Sequence, residues 1–123
     1  MTKRILLVED EDLLCDIYHE ILTAEGYDVD VAIDGEQAGK FLSAGGYDLV
    51  LLDVLLPKRD GKQLMADLQQ TPSKKPNNLI VWMTNLAEEG LKKEMNSLGV
   101  HDVMVKSQLT PEEFLNNVKK YLA

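Results

Sequence analysis

The sequence predicts an α/β fold: a doubly wound, five-stranded parallel sheet with helices on both faces, in three layers. Short apolar segments alternate five times with longer segments that have helical periodicity. Three of the apolar segments are continuously apolar, which is typical of parallel strands covered on both faces. No linker rich in Ser, Gly or Pro divides the 123 residues, so we expect one domain.

The strands are predicted where apolar residues form runs too short for a helix. They are residues 4–9, 28–32, 47–53, 79–84 and 100–105. The first, third and fourth are continuously apolar and are expected in the middle of the sheet. The second alternates polar and apolar side chains over Asp28–Val31, and this pattern favours a strand at an edge.

The first two helices are predicted from apolar spacing and from residues that begin or end helices. The first carries apolar side chains every three or four residues over 14–22 and stops at Gly26. The second begins at Asp34, where Gln37 would complete a capping box, and it ends by Gly45. Both helices therefore have a defined end in the sequence itself.

The last three helices are predicted in the same way. The third presents Leu64 and Leu68 on one face. The fourth is expected to be capped by Asn85, with Glu88 at its third position. The fifth has the clearest start, because residues 110–113 combine a threonine N-cap, a proline and a capping-box glutamate. Joined by right-handed crossovers, the five units favour the flavodoxin-like strand order 2-1-3-4-5.

Charge and composition exclude several classes of function. The formal net charge is −8, and residues 1–60 hold 14 of the 21 acidic side chains, so direct nucleic-acid binding is disfavoured. The longest apolar runs are far too short to cross a membrane, and no secretory signal is visible. With a single cysteine there is no disulfide framework, and we expect a cytoplasmic protein.

Polar residues stand where the central strands end. Glu9 and Asp10 follow the first strand, Asp53 ends the third, Thr84 ends the fourth, and Lys106 follows the fifth. Carboxyl ends of parallel strands share one edge of a sheet, and ligands bind there. If the first and third strands are neighbours, the three carboxylates converge and favour a hard divalent cation such as Mg²⁺.

This set of residues has the parts needed for phosphoryl transfer. Asp53 can act as the nucleophile. A metal ion and Lys106 can neutralise the phosphoryl oxygens, and Thr84 can donate a hydrogen bond to one of them. Asp53 is the most informative residue, because it closes an apolar strand where a carboxylate needs a partner.

These motifs resemble the response-regulator receiver domain, the CheY-like phosphoacceptor of two-component signalling. Residues 5–10 (Ile-Leu-Leu-Val-Glu-Asp) and 53–61, with the pattern Asp-x-x-x-Pro-x-x-x-Gly, carry the resemblance together with Thr84 and Lys106. It extends over the whole chain in order and spacing. It implies that residues 1–123 form one receiver domain without an output domain.

The resemblance also implies a role for each residue at the acidic end of the site. Asp53 would accept a phosphoryl group from the phosphohistidine of a sensor histidine kinase or a phosphotransfer protein. Asp10 and Asp53 would bind Mg²⁺ directly, with the backbone carbonyl of Leu55 as a third ligand. Glu9 would act through water. The domain would be a phosphoacceptor that catalyses only its own phosphorylation and dephosphorylation, not an enzyme in the usual sense.

The remaining residues would connect phosphorylation to a partner. Thr84 and Lys106 would contact the phosphoryl oxygens, and a shift of Thr84 would rearrange the fourth helix, fifth strand and fifth helix to bind an unknown protein target. Two departures concern this switch: Val103 stands where the family often has Tyr or Phe, and Ser107 replaces the usual proline after the lysine. We expect a monomer or a weak phosphorylation-dependent dimer, with unconventional output coupling.

Three alternatives stay open at this point. A degenerate receiver would bind partners without phosphorylation; the retained site residues oppose this interpretation, whereas Val103 and Ser107 favour it. An Asp-nucleophile phosphatase of the haloacid-dehalogenase type would need a second carboxylate two residues after Asp53, where the chain has Leu55. A flavodoxin-like electron carrier would need a phosphate loop, but the acidic residues 9–12 would repel a flavin phosphate.

Overall fold

The computed structural model describes residues 2–85 and 90–123. Within these residues, five strands alternate with five helices, and a single 3-10 turn (Lys106–Gln108) follows the last strand. In chain order they are β1 (Arg4–Val8), α1 (Asp12–Ala24), β2 (Asp28–Ala32), α2 (Gly35–Ala44), β3 (Leu49–Asp53), α3 (Gly61–Gln70), β4 (Leu79–Thr84), α4 (Leu91–Leu98), β5 (Asp102–Val105) and α5 (Pro111–Leu122). None of the described helices is long and apolar enough to cross a membrane.

The sheet is parallel throughout, with the order β2-β1-β3-β4-β5, so the predicted order is confirmed. The register places Val8 beside Leu52, and Thr84 beside Val105. The carboxyl ends of four neighbouring strands, β1, β3, β4 and β5, therefore lie level at one edge of the sheet. β2, whose alternating pattern predicted an edge strand, is at the end of the order.

Two apolar cores lie on the two faces of the sheet, because successive side chains of a strand point in opposite directions. One core is formed on the side of α2, α3 and α4, with Leu6, Leu52 and Trp82 from the strands. The other is on the side of α1 and α5, where the rings of Tyr18 and Phe114 stack with centroids 4.2 Å apart. The predicted three-layer arrangement is therefore confirmed.

Two strands begin two residues later than the sequence predicts. Asp48 precedes β3, and its side chain accepts a hydrogen bond of 2.8 Å from the backbone N–H of Arg4. Val100 precedes β5, and its N–H donates to the carbonyl of Met95 in α4 at 3.0 Å, so it still belongs to the end of that helix. Tyr47 and Val100 extend the apolar pattern past the two boundaries, but hydrogen bonding decides where each strand starts.

The helix caps agree with the sequence in most details. Thr110 and Glu113 form both bonds of the predicted capping box at the start of α5. Asp34 accepts from the backbone N–H of Gln37 at 2.8 Å, as expected for the N-cap of α2. The return bond differs from the prediction, because the Gln37 side chain accepts from the N–H of Ile33, one residue earlier.

The predicted cap of the fourth helix falls partly outside the described residues. Glu88 lies in the stretch 86–89, which the structure does not describe. The described part of α4 begins at Leu91, after Gly90, and no side chain caps it there.

Candidate functional site

Four polar side chains that the sequence singled out are buried together at the carboxyl edge of the sheet. Glu9 is 0% exposed, Asp53 5%, Thr84 9% and Lys106 7%. Each stands at the end of its strand or directly after it. Buried ionisable side chains are rare unless they are paired, so their joint burial marks a site.

Lys106 connects two of the carboxylates. Its Nζ donates to Oε1 of Glu9 at 2.7 Å and to Oδ2 of Asp53 at 2.8 Å. The peptide bond that follows Lys106 is trans, and the hydroxyl of Ser107 donates to the carbonyl of Asn85 at 2.9 Å. Lys106 therefore reaches both acids without a proline after it.

The loop after β3 holds the second oxygen of the Asp53 carboxylate. The backbone N–H of Leu55 donates to Oδ1 of Asp53 at 3.1 Å, while Lys106 binds Oδ2. Gly61 closes this loop, because its N–H donates to the carbonyl of Val54 at 2.8 Å. A Cβ at Gly61 would lie only 3.0 Å from the carbonyl oxygen of Asp53, so the tight approach favours glycine. Both oxygens of Asp53 are thus oriented.

Three carboxylates form a cluster with the geometry of a cation site. Glu9, Asp10 and Asp53 each place an oxygen within 4.8 Å of the other two. Asp10 is exposed, so the cluster can be reached from solvent. An oxygen-only donor set of this kind fits a hard cation such as Mg²⁺, which keeps several water ligands, and does not suit zinc. The residues present therefore fit the metal that the sequence suggests.

The electrostatics of the cluster show why a cation would be stabilising. Burial raises the pKa of the Glu9 carboxyl from an ordinary 4.5 to about 7, although the hydrogen bond from Lys106 opposes this shift. Burial alone would lower the pKa of Lys106, but its hydrogen bonds to Asp53 and Glu9 outweigh that effect and raise it. The lysine stays charged, and one lysine must compensate two buried acids and the exposed Asp10.

A small cavity of about 130 Å³ opens beside the site, between the loop after β3 and the start of α4. Val54, Thr84 and Leu91 contribute to its walls. The sequence pattern predicted Thr84 at this site, but it did not indicate a cavity beside it. It also missed the N–H of Leu55 as a donor to Asp53, since any residue at that position offers a backbone N–H and no side-chain pattern marks it.

Comparisons with known proteins agree with this geometry. The sequence profile described as "Response regulator receiver domain" matches residues 5–119. The alkaline phosphatase synthesis transcriptional regulatory protein PhoP of Bacillus subtilis is 38% identical over 122 residues, which cover 99% of this chain and 49% of PhoP. The transcriptional regulatory protein DltR of Streptococcus agalactiae is 34% identical over 103 residues, which cover 84% of this chain and 45% of DltR. The chain thus spans about half the length of these relatives.

A solved structure gives the same result for the fold. The CheY-like response regulator receiver domain protein from Methanospirillum hungatei superposes with a TM-score of 0.82 at 26% identity, over 99% of this chain and 94% of that one. A parallel sheet of the same order, a buried acid–lysine site at its carboxyl edge and a family match over nearly the whole chain point to one conclusion. This chain belongs to the response regulator receiver domains of two-component signalling.

Proposed function

We propose that this domain accepts a phosphoryl group on Asp53 in a Mg²⁺-dependent reaction with the phosphohistidine of a sensor kinase or phosphotransfer protein. The proposal rests on the surroundings of the Asp53 carboxylate. It is 5% exposed, it is fixed at both oxygens, and it is in contact with a buried lysine. A nucleophile held in this way needs no large reorganisation before it reacts.

The transfer step follows from the residues around Asp53. One carboxylate oxygen forms a bond to phosphorus while the phosphorus–nitrogen bond of the donor imidazole breaks, and the leaving imidazole nitrogen takes up a proton from water. Lys106 and Thr84 stabilise the charge on the phosphoryl oxygens. Asp10 and Asp53 would hold Mg²⁺ directly, with the Leu55 carbonyl as a further ligand, and Glu9 would act through water. When bound, Mg²⁺ supplies positive charge to the transferred group.

Output is proposed to run through Thr84 to α4, β5 and α5, without an aromatic side chain at position 103. Val103 is half-buried and lies next to Trp82 in the register between β4 and β5. A small aliphatic residue cannot turn between buried and exposed positions as a tyrosine does. Amide NMR spectra of α4 and α5 test this point: shifts on phosphorylation identical to those of a receiver with tyrosine at this position would contradict it.

The direct experiment uses a small phosphodonor, acetyl phosphate, with Mg²⁺. Intact mass is measured for wild type, Asp53→Ala and Asp16→Ala, where Asp16 is an exposed carboxylate of α1 and serves as a matched control. Wild type and Asp16→Ala should each gain one phosphoryl group, and Asp53→Ala none. No gain in wild type would favour a phosphorylation-independent interaction module. Repeated release of phosphate would favour a phosphatase.

A further inference from the structure

The loop between β3 and α3 is fastened to the first turn of α2. The backbone N–H of Gly35 donates to the carbonyl of Pro57 at 3.0 Å. Nζ of Lys58 lies 3.4 Å from Oδ2 of Asp34 and 3.4 Å from Oε2 of Glu36. One backbone bond and two ion pairs therefore hold the middle of this loop against the N-terminus of α2.

Two glycines of α2 make the close approach of the loop feasible. A Cβ at Gly35 would overlap the carbonyl oxygen of Arg59 and lie 2.6 Å from its Cβ. A Cβ at Gly39, one turn later, would lie 2.5 Å from Nη1 of Arg59. The guanidinium of Arg59 forms an ion pair with Asp67 of α3. Arg59 is therefore wedged between α2 and α3, with its main chain against Gly35.

The backbone of the loop is strained at the point where α2 holds it. Lys58 has a φ of 70°, in the left-handed region that residues with a Cβ disfavour. Its side chain is the one that bridges Asp34 and Glu36. A strained conformation persists only where its surroundings impose it, and strain of this kind gathers at functional sites.

The same loop orients the reactive carboxylate. It begins directly after Asp53, and the N–H of Leu55 donates to Oδ1 of Asp53 at 3.1 Å. Its far end is fixed by the bond from Gly61 to Val54. The loop is thus anchored at both ends by its own backbone and in the middle by α2. A displacement at Arg59 would be transmitted toward Leu55 along a short, constrained segment.

We propose that Gly35, together with Arg59, is a positioning residue for the phosphoacceptor site. The first turn of α2 sets the position of the loop, and the loop sets the backbone of Leu55 relative to Asp53 and to Mg²⁺. The inference rests on the proposed function, because the position of the Leu55 backbone can affect Mg²⁺ affinity only if the carboxylate cluster holds Mg²⁺. It adds a role for α2, which contributes no side chain to the site itself.

The test compares Gly35→Ala with Gly90→Ala. Gly90 has a φ of −72°, and a Cβ there would meet no atom of the described residues within 4 Å, whereas a Cβ at Gly35 must displace Arg59. Alanine is favourable at Gly35, the first residue of α2, and Gly90 has helical backbone angles (φ −72°, ψ −15°) that alanine also adopts, so loop displacement is the effect that separates the two variants. The readouts are Mg²⁺ affinity, from the fluorescence of the single tryptophan, Trp82, and amide hydrogen exchange at Leu55 and Leu51.

The expected result is specific to the loop. Gly35→Ala should bind Mg²⁺ about tenfold more weakly, in the range seen when groups that orient metal ligands are removed. The Leu55 amide should exchange about tenfold faster while that of Leu51, inside β3, is unchanged. Gly90→Ala should match wild type in all three readouts. A purely structural role for Gly35 would accelerate exchange at Leu51 as well, or would leave Mg²⁺ affinity unaltered.

Other outcomes overturn the proposal. A folded Gly35→Ala protein with Mg²⁺ affinity within about twofold of wild type would contradict it. If Gly35→Ala does not fold, Gly39→Ala replaces it as the test variant, because a Cβ at Gly39 displaces only the end of the Arg59 side chain. We expect Gly39→Ala to bind Mg²⁺ about threefold more weakly than wild type. Unchanged Mg²⁺ affinity in Gly39→Ala would overturn the inference. If wild type itself binds no Mg²⁺, the proposed function is overturned together with the inference. If wild type binds Mg²⁺ and Gly35→Ala binds it equally well, only the inference is overturned.

Discussion

Lys106 is the residue on which the charge balance of the site depends. Its side chain is 4% exposed and compensates Glu9 and Asp53, whose side chains are 0% and 7% exposed. Removing one member of a buried ionic group leaves the others without compensation, which costs far more than losing an exposed pair. The same lysine is the group that would contact a phosphoryl oxygen.

Lys106→Met should therefore lower the free energy of unfolding by about 3 kcal/mol at pH 8. Addition of Mg²⁺ should restore part of the loss, because the cation compensates the same carboxylates. Urea unfolding with and without Mg²⁺ measures both effects. Lys119→Met is the matched control: its ion pair with Glu25 is exposed, at 3.4 Å, and its loss should cost less than about 1 kcal/mol. Equal losses of unfolding free energy in Lys106→Met and Lys119→Met would contradict the role of Lys106 in compensating the buried carboxylates.

Glu9 gives the site a defined pH dependence in the absence of metal. Burial raises the pKa of its carboxyl from 4.5 to about 7 in the folded protein. Between these values the folded state binds more protons than the unfolded state, so this group makes stability fall as pH rises. Its contribution is fully present below pH 4.5 and is lost as pH passes through about 7.

Glu9→Gln should remove this pH dependence. In EDTA, the free energy of unfolding of the variant relative to wild type should increase by about 3 kcal/mol between pH 4.5 and 7.5, and then stay level. Urea titrations at several pH values measure it. Parallel profiles for the two proteins would show that Glu9 titrates normally.

The residues of the site were predictable where side-chain chemistry marks them. Glu9, Asp53, Thr84 and Lys106 are polar side chains at the ends of apolar strands, and the rule for parallel sheets brings such ends together. The backbone N–H of Leu55 and the close approach of Arg59 to Gly35 were not predictable, because every residue has a backbone and tertiary contacts do not appear in local patterns.

At the scale of elements, helix ends were predicted best where two signals coincide. Thr110 and Glu113 make a complete capping box, and the proline between them fits the first helical position. At α2, Asp34 caps as expected, but the Gln37 side chain accepts from the N–H of Ile33; the N-cap φ is −151° at Asp34 and −74° at Thr110. Sequence spacing alone does not distinguish those two bonds.

Thr110→Ala should cost about 1 kcal/mol of stability, the usual worth of an N-cap side chain. Phosphorylation of Asp53 should be unchanged, because α5 contributes no side chain to the acidic cluster. Urea unfolding and intact mass after acetyl phosphate treatment measure the two effects. Thr23→Ala, at an exposed site in the last turn of α1, is the control and should cost nothing. A loss of phosphorylation in Thr110→Ala would indicate that the start of α5 takes part in the site.

At the scale of the whole molecule, five βα units joined by right-handed crossovers favour the strand order 2-1-3-4-5, but local patterns do not determine it. Every βα unit carries similar apolar periodicity, and pairing between strands distant in sequence is decided by the packed structure. The observed order places β1 beside β3, so Glu9 and Asp10 meet Asp53. An order in which β1 and β3 are not neighbours would separate these acids, of which Asp10 and Asp53 are 43 residues apart in the sequence.

Phosphorylation is proposed to occur on Asp53 and to require Mg²⁺. The most direct test locates the modified residue: the domain is treated with acetyl phosphate, the acyl phosphate is reduced with borohydride, and the resulting homoserine is mapped by peptide mass spectrometry. We expect homoserine at position 53 alone, and none when EDTA replaces Mg²⁺. Homoserine at another carboxylate, or none with Mg²⁺ present, would contradict it.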